Sequence, residues 1–259
     1  MSVPVASEFT GASLALSQSA IDRAAADLRT GPAELWTVFT VETSGCGYLA
    51  DRRPPILFER HVFHRLTGGA HDDGDISAPT PGGYGPAGTH QYDRLLRAAA
   101  LDRDAALRSA SWGLGQIMGE NFSVAGFASV EDMVAAMCQS EDQQLRAFVA
   151  CLKANHLDAP LRDRDWSAFA RRYNGPTFAT NQYDTKLAAA FERLSASAPD
   201  LDIRAAQLYL AFRGLYPVND VDGLAGSRTH AAVCDFQLAA GLPVTGAPDL
   251  ATLAALLPA

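Results

Sequence analysis

The chain is almost without lysine: Lys153 and Lys186 are the only two in 259 residues, and every other basic residue is arginine. Its net charge of −8 speaks against nucleic acid as a main partner, because phosphate binding relies on clustered Lys and Arg. The same charge disfavours stable attachment to anionic lipid. No stretch approaches the roughly 20 uninterrupted apolar residues of a bilayer span. Cysteine is sparse: Cys46, Cys138, Cys151 and Cys234 form no C-x-x-C pair, and no His stands at zinc-finger spacing from them. Cys138 and Cys151 fall in alanine-rich helical stretches, where a thiol serves as a small buried hydrophobe, so we expect no disulfide framework and folding in a reducing compartment. Residues 1–30 lack a basic leader and a compact apolar core; Glu8, Asp22, Arg23, Asp27 and Arg29 give a helical pattern instead. A cleaved secretory signal is therefore not expected, and the chain is read as made in the cytoplasm.

Several chemistries are also missing. There is no G-x-S-x-G elbow, and Gly113-Leu114-Gly115-Gln116 completes neither a dinucleotide nor a phosphate fingerprint. Glu59-Arg60-His61-x-x-His64 spaces its histidines three apart rather than four and offers no third ligand. His71, Asp72, Asp73 and Asp75 lack the spacing of a calcium loop. No metal and no cofactor are expected.

What remains is a globular chain, 48% apolar and 19% charged, long enough for one large domain or two unequal ones. Periodicity predicts a mainly helical fold, with helices at 17–28, 32–42, 92–100, 102–108, 130–138, 141–155, 165–173 and 180–194. Residues 54–59 read as strand or short helix, and 67–89 as one long irregular segment.

Glu42 is the focus. Leu35, Phe39 and Glu42 recur at three to four residues, so all three share one face of the 32–42 helix, just before Thr43-Ser44-Gly45-Cys46-Gly47-Tyr48. A carboxyl pressed against hydrocarbon holds its proton to higher pH. That is what protonating a glycosidic oxygen requires, and the glycine-rich break after it leaves room for a substrate. The ordinary alternative is a solvated glutamate in a last helical turn. Such chemistry also asks for a negative or basic group across the sugar ring. Asp51, beyond the glycine turn, is favoured for that role; its alternative is a loop pair with Arg52 or Arg53. Glu59 is read as substrate-facing, or as a structural ion pair with an arginine such as Arg60.

Sugar contacts are expected from Ser111-Trp112-Gly113-Leu114-Gly115-Gln116, where glycines let backbone approach a ligand. Gln116 offers donor and acceptor to an acetamido or hydroxyl group. Trp112 offers a flat face, or is a core residue. Tyr173 and Asn174 close a helix toward the same cleft, or form an ordinary C-cap with Gly175.

After the small-residue stretch Ser195-Ala196-Ser197-Ala198-Pro199 comes a unit with an internal echo. Asp222-Gly223 is followed by Thr229 and Val233, and Thr245-Gly246 by Thr252 and Leu256, at equal offsets. Each half reads as a glycine turn and a helix, capped by Ser227 or Asp249. Thr229, Val233, Phe236 and Ala240 form a stripe expected to bury against a helix over 201–213. So small a unit suits binding rather than catalysis.

This tail resembles the three-helix peptidoglycan-binding domain, through Gln207-x-x-Leu210, Val221-Asp222-Gly223-Leu224-Ala225-Gly226, Thr229, Phe236-Gln237 and Gly241-Leu242-Pro243-Val244-Thr245-Gly246. The front resembles the N-acetylmuramidase domain of bacteriophage endolysins, a lysozyme-like fold. The segments that carry this are 41–48, Arg53-Pro54-Pro55-Ile56-Leu57-Phe58-Glu59-Arg60-His61, Ser109 to Gly119 and Arg172-Tyr173-Asn174-Gly175. It departs from the family at Thr43 and Cys46, neither of which the acid step needs. The resemblance implies a helical lysozyme-like domain over 1–197 and a wall-binding bundle over 198–259. It implies Glu42 as catalytic acid, peptidoglycan as partner, and cleavage of the β-1,4 bond between N-acetylmuramic acid and N-acetylglucosamine. The chain is expected to act as a monomer, waiting in the host cytoplasm until the membrane is permeabilised. A lytic transglycosylase, forming anhydro products, and a non-catalytic wall-binding protein are the alternatives.

Overall fold

A computed structural model describes residues 8–42, 46–175, 179 and 181–258, the side chains of Glu42 and Asn174 excepted. The fold is mainly α. Helix α1 spans Gln18–Leu28 and α2 Pro32–Glu42, and β1 (Ile56–Phe58) leads into α3 (Arg60–Leu66). Then come α4 (His90–Ala99), α5 (Arg103–Arg108), β2 (Ala110–Trp112) and β3 (Ile117–Met118). Helices α6 (Val130–Gln139), α7 (Glu141–Ala154), α8 (Asp158–Asp163), α9 (Trp166–Asn174) and α10 (Tyr183–Ala196) complete the front part. The tail holds α11 (Leu201–Phe212), α12 (Ser227–Ala239) and α13 (Leu250–Leu256).

Side-chain caps set many of these starts. Ser17, Asp102, Ser129, Ser140, Asp165, Asp200 and Asp249 each accept a backbone N–H of the first turn. Ser227 does not cap: it is the first residue of α12, behind Gly226, and no side-chain cap bond forms there. Helices α3 and α8 were not expected. Pro160 stands in the first turn of α8, where its missing N–H costs nothing.

Of residues 54–59, Ile56–Phe58 form a strand. An antiparallel sheet β1-β2-β3 pairs Leu57 with Ser111 and Ser111 with Met118. Ile56, Phe58, Ala110, Trp112 and Ile117 are buried beneath it, so Leu57, Ser111 and Met118 occupy the opposite face. Trp112 is 0% exposed, lies against Phe9 and Tyr92, and donates its indole N–H to the Leu107 carbonyl. It is a core residue, which corrects the expectation of a sugar platform.

The irregular segment 67–89 is tied down from α4. Buried Gln91 donates to the carbonyls of Tyr84 and Pro86 while accepting the Phe58 N–H, and Arg94 donates to Tyr84 O.

In the tail, the internal echo is a pair of buried glutamines. Gln207 accepts the N–H groups of Asp222 and Gly223 and donates to Thr229; Gln237 accepts those of Thr245 and Gly246 and donates to Thr252. The two glycines sit at φ +74° and +70°, a conformation that costs little only without a Cβ. Thr229, Val233 and Phe236 are buried against α11, whereas Ala240 is exposed at the end of α12 and leaves the expected stripe.

Candidate active site

Glu42 is the last residue of α2; its side chain and residues Thr43, Ser44 and Gly45 lie outside the described residues, as does the side chain of Asn174. The helix that carries Glu42 is firmly seated. Leu35 and Phe39 are both 0% exposed, and Phe39 packs on Phe148 of α7 with ring centroids 5.6 Å apart. Phe148 meets the Tyr173 ring edge-on at 6.2 Å, and the Tyr173 hydroxyl donates to the Gly115 carbonyl at 3.1 Å.

There the chain opens into a cleft of about 300 Å³, lined by Gln116, Met118, Asn121, Asn155, Arg172 and Tyr173 among others. Gln116 adopts φ +45° and is fixed on both sides: Ser111 Oγ donates to its Oε1 at 2.8 Å, and its Nε2 donates to the carbonyls of Gly113 and Pro55. Ser111 is thus a buried brace for Gln116. Asn121 and Asn155 carry no spacing signal in the sequence, being isolated polar residues, and Arg172 stands in the Arg172-Tyr173-Asn174-Gly175 segment, of which only Tyr173 and Asn174 read as site residues.

The glycines have a different purpose from the one expected. A Cβ on Gly113 would come 2.7 Å from the Gln144 side chain, and one on Gly115 would come 2.5 Å from Phe148. They let backbone approach α7 rather than a ligand. Gln144, itself fully buried, accepts the Leu114 N–H at 2.7 Å and donates to the Gly47 carbonyl at 3.0 Å. One amide therefore joins Gly47 to the turn before Gln116.

The two further carboxylates are treated differently. Asp51 Oδ2 accepts from Arg53 Nε and Nη2 at 2.8 and 2.6 Å, while Oδ1 accepts the Arg53 backbone N–H. Arg53 in turn lies over the Tyr92 ring, 4.0 Å from its centroid. Glu59 follows β1, donating its N–H to the Ser109 carbonyl, so it continues the sheet face of Leu57 and Ser111. Its Oε2 lies 3.1 Å from His61 Nδ1, and it does not pair with Arg60, which donates to the carbonyls of Gly74 and Thr80. Burial, reinforced by the Glu59 carboxylate beside it, pushes the Tyr84 hydroxyl up. His64 bonds Asp72 at 2.6 Å. No cluster of three or more His, Cys, Asp or Glu is placed to hold a metal among the described residues.

A larger groove, about 420 Å³, lies between α2, α10 and the tail and is lined by Trp36, Thr40, Arg193, Asn219, Asp222 and Leu224 among others. It flanks α2 at Trp36 and Thr40, roughly 100° around the helix from Leu35 and Phe39. Its one carboxylate, Asp222, already accepts from Gln207 and from the Leu224 N–H.

Comparison with known proteins gives two family matches. Residues 31–195 match the N-acetylmuramidase family and residues 199–256 match the peptidoglycan binding domain family. Among solved structures, the crystal structure of the Burkholderia AP3 phage endolysin is similar, with 38% identity and a TM-score of 0.65 over 71% of this chain and 72% of that one. No curated protein matches the chain.

Proposed function

Because the chain belongs to the N-acetylmuramidase family, with a peptidoglycan-binding domain behind the catalytic one, we propose that it hydrolyses the β-1,4 bond between N-acetylmuramic acid and N-acetylglucosamine. It is a peptidoglycan hydrolase and a glycoside hydrolase. Glu42 is the acid that protonates the leaving oxygen. The observation that carries this is its position: the C-terminal end of α2, seated through Phe39, Phe148 and Tyr173 against the turn that presents Gln116. A carboxyl at a helix C-terminus is disfavoured in its charged form, which suits a proton donor.

Gln116, held by Ser111, binds an acetamido or hydroxyl group of the glycan, Tyr173 forms the neighbouring wall, and Asn174 is a further sugar-binding residue. For the group across the ring the reading turns from Asp51 to Glu59. Asp51 is folded back on Arg53 through both oxygens; Glu59, whose Oε2 lies 3.1 Å from His61 Nδ1, continues the sheet face of Ser111, the brace of Gln116. The chain acts as a monomer on the wall of a bacterial host, after passage across a permeabilised membrane, in a phage lysis role like that of its structural neighbour. No helix among the described residues is long and apolar enough to cross a membrane by itself.

Mass spectrometry of the sugars released from purified peptidoglycan tests the reaction. Reducing N-acetylmuramic acid ends are expected; anhydro ends show that the sugar's own hydroxyl, not water, completes the step. In that case Glu59→Gln retains the wild-type rate and the second-carboxylate assignment fails.

A further inference from the structure

At the start of α7, buried polar groups from three parts of the chain meet at one carboxylate. Glu141, the first residue of α7, is 0% exposed, and Arg204 of α11 is 1% exposed. Arg204 Nη1 donates to Glu141 Oε2 at 2.5 Å and Nη2 to Oε1 at 2.7 Å. The same two oxygens accept the backbone N–H of Leu16 at 2.8 Å and of Gly47 at 2.7 Å. Gly47 is pressed hard into this point: a Cβ there would lie 2.3 Å from Gln144 Oε1 and 2.9 Å from Glu141 Cγ.

Gly47 is five residues beyond Glu42 in the sequence. Its neighbours Cys46 and Tyr48 belong to the hydrophobic cluster of the tail, with Leu208, Tyr209 and Val233. The Tyr48 ring stands edge-on to Phe212 at 6.1 Å, and the Tyr209 hydroxyl accepts the Ala15 N–H at 2.9 Å. The wall-binding domain is therefore docked on Cys46 and Tyr48, which flank Gly47. A forked arginine fixes a carboxylate in orientation as well as in charge. Without it, Glu141 is an uncompensated buried charge, and such a charge reorganises its surroundings or draws in water.

We propose that Arg204, supplied by the wall-binding domain, is a positioning residue for catalysis: by clamping Glu141 it fixes the backbone at Gly47, five residues beyond Glu42 in the chain. The inference rests on the reading of Glu42 as the acid. The docked domain completes the enzyme in addition to anchoring it.

The test uses full-length Arg204→Met and Arg204→Lys, assayed for turnover of soluble glycan chains released from peptidoglycan and for cosedimentation with intact sacculi. Soluble chains need no anchoring, so the two roles separate. We expect Arg204→Met to lower kcat on soluble chains at least tenfold, with KM and cosedimentation within twofold of wild type. Arg204→Lys, which keeps a cation beside Glu141 but loses the fork, recovers part of the rate. Wild-type kcat on soluble chains, with loss confined to sacculi, overturns the proposal. Should Arg204→Met fail to fold, the pair Glu141→Gln and Arg204→Met leaves no buried charge and replaces it. A single amide oxygen must then serve both Gly47 and Leu16, so a tenfold fall in kcat supports the proposal and a rate within twofold overturns it. Glu42→Gln, run alongside, isolates the acid assignment: its activity bears on Glu42, whereas the kcat change at Arg204 bears on positioning.

Discussion

Replacing Gln144 by methionine keeps the length of the side chain and removes the amide that holds two parts of the site together. Gln144 Oε1 accepts the Leu114 N–H at 2.7 Å, and Nε2 donates to the carbonyls of Gly47 at 3.0 Å and Met137 at 2.9 Å. Met137 retains a second donor, the Tyr48 hydroxyl at 3.1 Å. The groups left without a partner are the Leu114 N–H and the Gly47 carbonyl. Each buried orphan costs about 1–3 kcal/mol, so Gln144→Met is expected to lose about 2–6 kcal/mol. That is a large share of the about 5–15 kcal/mol by which a domain is ordinarily stable. Methionine fills similar space, so little of the loss can be assigned to a cavity. Urea unfolding gives the stability change, and turnover of soluble glycan at a concentration of urea well below the transition gives the catalytic one. A loss under about 0.5 kcal/mol, the range of an inconsequential surface change, together with a wild-type rate, refutes the account of how the two loops are joined.

Other outcomes follow from the same structure. Trp112→Ala is expected to cost about 3–5 kcal/mol as a core truncation, while Trp112→Phe leaves KM for glycan unchanged; a tenfold rise in KM at wild-type thermal stability would restore Trp112 to the substrate cleft. Burial pushes the Cys46 and Cys138 thiols up to about 12 and that of Cys151 to about 11, whereas Cys234 is only half-buried. Reaction with a disulfide reagent at pH 8 should therefore find one rapid thiol in the native protein and four in denaturant, and a second rapid thiol contradicts the packing. Hydrogen bonds from the Thr252 backbone and hydroxyl hold the Asp249 carboxyl below its usual range. A carboxylate lowered on folding stabilises above its unfolded pKa and ceases to do so as pH falls through its folded one. Asp249→Ala should accordingly melt earlier than wild type at pH 7, with the gap closing in acid; a pH-independent gap rules out this origin.

Much of the architecture is legible from local signals. Pro32 marks the start of α2, and Ser129 and Asp249 announce the helices they cap. The repeated glycine-to-threonine spacing of the tail is also visible, although the residues that enforce it, Gln207 and Gln237, act from the preceding helix. The sheet is harder to see because β1 and β2 have three residues each and β3 two, too few for an alternating pattern to stand out. Trp112 and Gly113 read equally well as ligand-facing or core, since burial is decided by distant Phe9, Tyr92 and Gln144. Glu141 gives no sign of its importance: beside Asp142 in the first turn of α7 it reads as an ordinary acidic helix start. Its partner stands 63 residues away in another domain.

The most direct test of the catalytic claim is the rate at which Glu42→Gln releases reducing ends from purified peptidoglycan. General acid catalysis by a placed side chain contributes about 10²–10⁴-fold. The substituted protein should lose at least about a hundredfold in rate, while cosedimentation with sacculi and the melting temperature stay at wild-type values. A folded, wall-bound Glu42→Gln that still releases reducing ends within tenfold of the wild-type rate contradicts the assignment of the proton to this residue.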